Sequence, residues 1–352
     1  MKKLSYIFIF FFFFSCTNNS PEFEIFEVSD FEKSIKLNSE KINIPPNLYY
    51  VLQMVLLDSV LVTVDTKADK IFGVYKAENL EFIGSYVNKG RGPSEEISFD
   101  AFIQPALNNT FMYRSLQSIK FIKFNLSLLK FETQKEILLP GQLLDLSHPF
   151  VLNDSILSGW SIFQDSEKEY LCLNLNTKEV SEFGPPYPEI IKDIPSKQKA
   201  SAFSKIITVK PDNNLFASAY DKFKMIRIYS KTGKVLKEIR FKNNNYFSKD
   251  ILIKNPENIN LDKIKLHYQK IKSTNKYIYA LYSGKSLSEV SNSKKSSFCN
   301  EIHVWDWNGN SIAKLILDKN IFSFVVASNN EYIIGAALDD IDVFYKYKLD
   351  SF

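Results

Sequence analysis

One short phrase recurs six times along the chain, and this repetition constrains the fold more than any other feature of the sequence. Each copy has two small polar residues followed by a short apolar stretch. The copies lie about 40 to 60 residues apart and read DSVLVTV (58–64), NNTFMYR (108–114), NDSILSG (153–159), DNNLFAS (212–218), TNKYIYA (274–280) and NNEYIIG (329–335). Repetition at this period is typical of architectures that copy one supersecondary unit. We therefore expect six similar units.

A second phrase follows each copy and consists of a strand, a polar turn and usually another strand. The six instances read GVYKAENLEFIGSY, IKFNLSLLKFET, LNLNTKEVSEFG, RIYSKTGKVLKEI, HVWDWNGNSIAKLI and VFYKYKLD. Asparagine and aspartate with glycine or lysine suit the left-handed and Asx conformations of tight hairpins. An apolar stretch also precedes each first phrase. Each unit is therefore predicted to hold three or four short antiparallel strands.

Units of this length and content are typical of propeller blades. A single four-stranded sheet cannot bury both of its faces, so the sheets must pack around a ring. The sequence predicts an all-β six-bladed propeller, formed by residues 22–352 as one domain. The last unit lacks a fourth strand, and residues 22–30 (EFEIFEVSD) form an unassigned one. We expect residues 22–30 to join the last blade and close the ring, which removes two exposed edges. A seven-bladed WD-type propeller is the alternative, suggested by VWDW (304–307).

The first sixteen residues predict the location. Lys2 and Lys3 precede an apolar stretch, residues 4–14, that has the length of a signal peptide core and is too short to span a bilayer. Residues 13–16 (FFSC) resemble the lipobox of bacterial lipoproteins. This resemblance implies that residues 1–15 are a signal peptide, that Cys16 is lipidated and that residues 16–21 are a tether. We expect a lipid-anchored protein of the cell envelope that faces the periplasm, with the cell surface as the alternative. An ordinary secretory signal with an incidental cysteine is the other interpretation.

The connector between the first two units carries a family resemblance. It reads NKGRGPSEE (88–96) and contains Gly90, Gly92, Pro93 and Glu95 in a GxGPxE pattern. Together with the lipobox and the six units, this pattern resembles the TolB-like six-bladed propeller lipoproteins of Gram-negative bacteria. The family usually has glycine where this chain has Ser94. Most of its members have no assigned function, so the resemblance implies a fold and an envelope location but no reaction.

The net charge of the chain narrows the classes of possible partner. The chain has 44 Lys and Arg against 40 Asp and Glu, and the formal charge of +4 falls to about +2 without the signal peptide. A net charge this small does not indicate a nucleic-acid-binding protein.

The two cysteines after Cys16 lie far apart in the sequence. Cys172 lies in a strand-like stretch and Cys299 ends a serine-rich loop far along the chain. We expect two isolated thiols, with a disulfide as the alternative.

Loop lengths predict which face of the propeller binds a partner. If the strands of a blade are named a to d from the centre outward, the b–c loops and the connections from d to the next a share one face, called here the long-loop face. Its long connections are residues 159–169, 184–203, 242–265 and 283–300. Long loops on a rigid scaffold commonly carry function, so we expect this face to bind a protein, peptide or glycan. Tolerated insertions are the alternative, because loop length costs little free energy.

Several side chains on the long-loop face are candidates for binding. The connector 88–96 is interpreted as a sharp corner in which Glu95 or Glu96 accepts backbone hydrogen bonds or pairs with Arg91. The functional alternative presents Arg91 and Glu95 beside the channel mouth. The aromatic candidates, expected to be exposed, are Trp160, Phe163, Tyr187 and Tyr220.

Catalytic patterns are scarce. The chain has no HExxH, CxxC, GxSxG, P-loop or dinucleotide fingerprint. His148 and His267 are predicted to face the channel, whereas His303 is expected to pack within a blade. The preferred interpretation is a non-enzymatic binding module without a cofactor. The alternative is a calcium-dependent lactonase or esterase, because some six-bladed propellers hold calcium in the channel through carboxylates. Its ligands or base would be Asp100, Asp145 and His148. A structural envelope component is a third possibility.

Overall fold

The computed structural model describes residues 23–44, 50–65, 67–92, 95–96, 99–106, 109–191, 193–242, 261–292, 299–337, 340 and 342–350. Of residues 99–106 it describes the backbone and the Pro105 side chain. The strands are β1 (Glu24–Val28), β2 (Ser34–Leu37), β3 (Ser39–Asn43), β4 (Val51–Leu56), β5 (Val60–Asp65), β6 (Lys70–Lys76), β7 (Phe82–Asn88), β8 (Phe99–Ala106), β9 (Thr110–Ser115), β10 (Ser118–Asn125), β11 (Lys130–Leu138), β12 (Ser147–Asn153), β13 (Ile156–Trp160), β14 (Lys168–Asn174), β15 (Val180–Pro186), β16 (Lys205–Val209), β17 (Leu215–Tyr220), β18 (Met225–Ser230), β19 (Val235–Phe241), β20 (Tyr268–Ser273), β21 (Tyr277–Tyr282), β22 (Cys299–Asp306), β23 (Ser311–Ile321), β24 (Ser323–Val326), β25 (Tyr332–Ala336) and β26 (Val343–Lys348).

Helical structure in the described residues is short. It consists of helices α1 (Ser196–Ala202) and α2 (Leu287–Asn292) and the 3-10 turns Gly141–Leu143 and Leu261–Lys263. Within the described ranges, no helix has both the length and the apolar character needed to cross a membrane.

The strands form six sheets, each built on four strands in order from the ring centre outward, and the sheets of blades 4 and 5 carry β1 and β2 as a fifth strand at the outer edge. Blades 1 to 5 are β4–β7, β8–β11, β12–β15, β16–β19 and β20–β23, and blade 6 is β24, β25, β26 and β3. The innermost strands β4, β8, β12, β16, β20 and β24 contact one another in cyclic order. The ring is therefore closed, and the prediction of an all-β six-bladed propeller is confirmed over the seven-bladed alternative.

The N-terminal segment closes the ring, as expected, but with a different strand. Residues 24–43, called here the N-terminal belt, run along the outside of three blades. In the belt, β1 pairs in parallel with β19 of blade 4, β2 in parallel with β23 of blade 5, and β3 antiparallel with β26 of blade 6. The closing strand is thus Ser39–Asn43, and the assignment of residues 22–30 to the last blade is wrong.

Burial explains why β3, and not β1, closes the ring. As a fifth strand, β1 lies against the edge of blade 4, where Phe26 and Val28 pack on the core while Ile25 remains 40% exposed. The strand β3 (SEKIN) looks polar, but Ile42 and the adjacent Ile44 pack against the core between blades 6 and 1. The stretch with the stronger apolar pattern, β1, therefore becomes a fifth strand of blade 4, because the belt passes blade 4 before it reaches blade 6.

The repeated polar phrase forms the a–b turns on the face opposite the long loops. Asn109, Asn213 and Asn330 occupy equivalent turns with φ of 56°, 57° and 62°, a left-handed conformation that asparagine tolerates better than most residues. Each of these side chains bonds to the preceding blade. Asn109 Oδ1 accepts from Asp58 N–H (3.0 Å), Asn213 Nδ2 donates to the Leu152 carbonyl (3.2 Å), and Asn330 Oδ1 accepts from the hydroxyls of Thr274 (2.7 Å) and Tyr279 (3.0 Å). The repeat in the sequence therefore encodes bonds between blades as well as turns.

Aromatic side chains fill the spaces between blades. Between blades 1 and 2, the Phe72 ring lies 5.6 Å from Phe111 and 5.3 Å from Phe131, centroid to centroid. His303 is fully buried and contacts Trp305, as expected. Cys172 in blade 3 and Cys299 in blade 5 are buried and free, which agrees with the expectation of isolated thiols.

Candidate functional site

The connector between blades 1 and 2 is a hydrogen-bonded corner. Gly90 N–H donates to the Glu96 carbonyl (3.2 Å), and Glu96 N–H donates to the Asn88 carbonyl (3.0 Å). Glu95 Oε2 accepts from Gly92 N–H (2.9 Å). A Cβ atom at Gly90 would lie 1.9 Å from Glu95 Oε2, so any other residue here would displace the Glu95 carboxylate. The geometry agrees with the structural interpretation of this stretch.

Glu96 fastens this corner to blade 2. Its buried carboxylate accepts hydrogen bonds from Tyr113 Oη (2.6 Å), Lys120 Nζ (2.5 Å) and Ser115 Oγ (2.7 Å). Burial alone would raise the pKa of Glu96, but these bonds, led by Lys120, hold the pKa below its ordinary value. Arg91 lies exposed at the turn. Of the two binding candidates in this connector, Glu95 therefore stabilises the turn, and Arg91 remains exposed and available to a partner.

Three of the four aromatic candidates are buried, so the expectation that they are exposed is wrong for these three. Trp160, Tyr187 and Tyr220 expose 7%, 6% and 0% of their surface, whereas Phe163 exposes 76%. The reason is a buried cation, the Lys205 ammonium, around which the three rings close. Its Nζ lies 5.6 Å, 5.2 Å and 5.7 Å from the centroids of Trp160, Tyr187 and Tyr220.

The cation belongs to a buried ionic network between blades 3 and 4. Lys205 Nζ lies 3.5 Å from Glu169 Oε1, and Arg227 Nη1 donates to Glu169 Oε2 at 3.0 Å. Arg227 also bonds to Glu238, and the hydroxyls of Tyr220 and Tyr229 donate to Glu169. Burial lowers the pKa of Lys205 to about 8, and Glu169 opposes this shift. The charges at the centre of the network have partners, and the side chains of Lys205 and Glu169 are fully buried. The network therefore holds two blades together.

The innermost strands line a partly open cavity of about 80 Å³ on the ring axis. All six innermost strands contribute to its wall. Its polar lining consists of Gln53, His148, Thr208, Lys270, Lys272 and Ser273. A water occupies roughly 10–15 Å³ on this measure. The cavity therefore has room for several waters, or for a small ion with some of its hydration.

The charge in this cavity is positive. Lys272 Nζ donates to the Met54 carbonyl at 2.8 Å, and Lys270 Nζ lies 4.8 Å from the centroid of the Phe322 ring. Neither ammonium group forms an ion pair with a carboxylate in the part of the chain that the structure describes. Both lysines are half-buried, and desolvation lowers the pKa of Lys270 to about 8 and that of Lys272 to about 7. Burial, followed by the charges of the two lysines, lowers the pKa of His148 to about 3.

The residues of the calcium alternative do not converge in the described structure. His148 lines the cavity, but Asp145 is exposed outside its wall, and the Asp100 side chain lies outside the described residues. His267 is buried just before β20 and faces Tyr282. The prediction that His267 faces the channel is therefore wrong. Among the described side chains, no three His, Cys, Asp or Glu are grouped for a metal. Two lysines beside His148 also oppose the binding of a cation.

The described part of the long-loop face presents an apolar tip on a braced loop. Residues 161–167 join β13 to β14, and Ile162 and Phe163 expose 43% and 76% of their surface there. Gln164 holds the loop, because Oε1 accepts from Ser161 N–H (2.9 Å) and Nε2 donates to Tyr187 Oη (2.7 Å). Of the other predicted long connections, residues 243–260 and 293–298 lie outside the described residues, as do Cys16 and the tether.

The fold and part of the sequence match known proteins. The family model described as TolB-like 6-blade propeller-like matches residues 29–329. A crystal structure of a DUF4221 family member from Bacteroides vulgatus is similar, with a TM-score of 0.61, 11% identity and coverage of 90% of this chain and 98% of that one. A putative exported protein from Bacteroides fragilis is similar at a TM-score of 0.57 and 12% identity, over 93% of this chain and 99% of that one. Among curated proteins, none matches this chain. At these identities the structures share the fold alone.

Proposed function

Because the chain belongs to the TolB-like six-bladed propeller family, we propose that it is a non-enzymatic binding module of the bacterial cell envelope. A lipid on Cys16 holds it at a membrane, and its long-loop face engages a protein, peptide or glycan. The signal-like N-terminus supports the anchor, and the long loops of one face support the partner.

The unequal distribution of loops between the two faces carries this proposal. On the long-loop face, residues 161–167 join two strands of blade 3 and residues 283–298 join two strands of blade 5. On the opposite face, the c–d hairpins are short, for example residues 126–129 and 231–234. A rigid ring with long loops on one side is the usual setting for a binding surface.

Phe163 provides a specific contact point on that face. An aromatic ring with 76% of its surface in solvent has no role in the core. The hydrogen bonds of Gln164 hold its loop in one conformation, which reduces the entropy lost when a partner binds. We expect Phe163 to pack directly against the bound partner.

A photo-crosslinking experiment tests the face. A benzophenone amino acid is placed at position 163 of the full-length chain in its own host, and at position 128 as the matched control. Leu128 is also apolar and 58% exposed, but it lies on the opposite face. The expected result is one discrete adduct from position 163 and none from position 128. Equal adducts from both positions, an adduct from position 128 alone, or no adduct at all would overturn the proposal.

Fractionation of cells tests the anchor. Two acyl chains contribute about 0.8 kcal/mol of membrane affinity for each buried methylene, so their loss should release the protein. Cys16→Ser should move the chain from the membrane fraction to the soluble fraction or leave it unprocessed, and the control Asn19→Ala should stay with the membrane. An unchanged distribution of a Cys16→Ser chain that is processed to the wild-type size would refute the lipid anchor.

A further inference from the structure

Two lysines on one innermost strand point into the axial cavity. Lys270 and Lys272 are two residues apart in β20, and residues at this spacing share one face of a strand. Both line the cavity, and His148 enters it from β12. The three residues therefore share one wall, and the charges of both lysines lower the pKa of His148.

The contrast with the network between blades 3 and 4 shows what the cavity lacks. In that network, the buried cations Lys205 and Arg227 face the carboxylates of Glu169 and Glu238. Buried cations are normally paired in this way, because an unpaired charge away from bulk water is costly. The described wall of the cavity contains two lysines and a histidine but no Asp or Glu.

The unused hydrogen-bonding capacity of these lysines is the second observation. An ammonium group has three N–H donors, and Lys272 uses one of them on the Met54 carbonyl. The described residues provide Lys270 with a ring face, that of Phe322, and no hydrogen-bond acceptor. Gln53, Thr208 and Ser273 add neutral polar groups to the same wall. The cavity is thus rich in donors and positive.

We propose that the axial cavity is a binding site for a small oxyanion of the size of phosphate, sulfate or acetate, held chiefly by Lys270 and Lys272. A cavity of about 80 Å³ admits an ion of four or five heavy atoms with some water and excludes drug-sized molecules. Opposite charge and several donors are the features that proteins use to hold such anions. The site lies on the ring axis and does not depend on the partner proposed for the long-loop face.

Calorimetric titration of the purified full-length chain with inorganic phosphate tests this site directly. The titration is done in HEPES at pH 7 and constant ionic strength, and it is repeated with acetate and with chloride. The expected result is saturable binding of phosphate and acetate, accompanied by a rise in the melting temperature that follows ligand concentration. Chloride should neither saturate nor compete. No saturable oxyanion binding, or equal binding of chloride that competes with phosphate, would overturn the proposal.

Variants separate the site from general charge effects. Lys270→Met with Lys272→Met should weaken phosphate binding at least tenfold, while the unliganded protein stays folded, because replacing buried charge with apolar side chains is often neutral or stabilising. Lys276→Met is the matched control, since Lys276 lies exposed just beyond the same strand. If the double variant does not fold, the Gln pair at both positions replaces it. Phosphate binding that either double variant retains at the wild-type level would refute the assignment.

Discussion

Glu169 is the position where one change of charge should cost the most stability. Glu169→Gln keeps the shape of the side chain but removes the negative charge that faces Lys205 at 3.5 Å and Arg227 at 3.0 Å. In this variant the two buried cations, Lys205 and Arg227, have only the carboxylate of Glu238 to balance their charge. Removing one partner of a buried ion pair typically costs about 3–5 kcal/mol. We expect a loss of free energy of unfolding in this range at pH 7.

The same network predicts a rescue. Lys205→Met removes the cation that Glu169→Gln leaves without a partner, so the double variant should lose about 1–3 kcal/mol less than the sum of the two single variants. Urea unfolding followed by tryptophan fluorescence is a suitable assay, because Trp160 packs on Lys205. Glu182→Gln, a change at an exposed glutamate of blade 3, is the control and should shift the midpoint little. A loss below about 1 kcal/mol for Glu169→Gln, or strictly additive effects, would refute the argument.

Three further predictions concern a turn, the connector and the axial cavity. Asn330→Ala should destabilise the fold by about 1–2 kcal/mol more than Asn330→Gly in urea unfolding, because both lose the bonds to blade 5 but only alanine resists positive φ. Equal losses would show that φ is irrelevant there. Gly90→Ala should lower the melting temperature because its Cβ meets Glu95, and Glu95→Ala should relieve the effect; failure of this rescue would contradict the proposed contact. Lys272 has a pKa of about 7 in the fold, below its ordinary value of 10.5, because burial disfavours the charged form. The unfolded chain therefore binds this proton more readily, and the free energy of unfolding falls as pH falls from about 10.5 to about 7. In Lys272→Met, whose cavity keeps Lys270 and His148, stability should fall less over this range, and an identical pH dependence in both proteins would refute the assignment.

The sequence predicts those parts of this fold that depend on local chemistry. The polar phrases predict turns because asparagine at positions such as 109, 213 and 330 is suited to positive φ, and this preference is local. The number of blades follows from counting those turns. The position of β1 was missed because parallel pairing with β19 connects residues far apart in sequence, and the pattern of β1 does not specify which edge it will cover.

The channel site was missed for a different physical reason. The stretch YQKIKS has the pattern of a strand with one polar face, and in this propeller the polar side chains of that innermost strand line the channel. Lys270 and Lys272 therefore point to the axis, and the alternation within a predicted a strand is the signal that would have revealed them. The burial of Trp160 had no such signal, because it depends on Lys205, which belongs to the next blade and lies 45 residues further along the chain.

The N-terminal belt has a consequence for the order in which the protein assembles. Ser39 pairs with Tyr347, about 300 residues later in the chain. A chain that leaves the ribosome or crosses a membrane from its N-terminus exposes β3 early, but the partner of β3 arrives almost last. Until then the sixth sheet lacks its outer strand and the circle stays open, so completion of the molecule is timed by the arrival of β26.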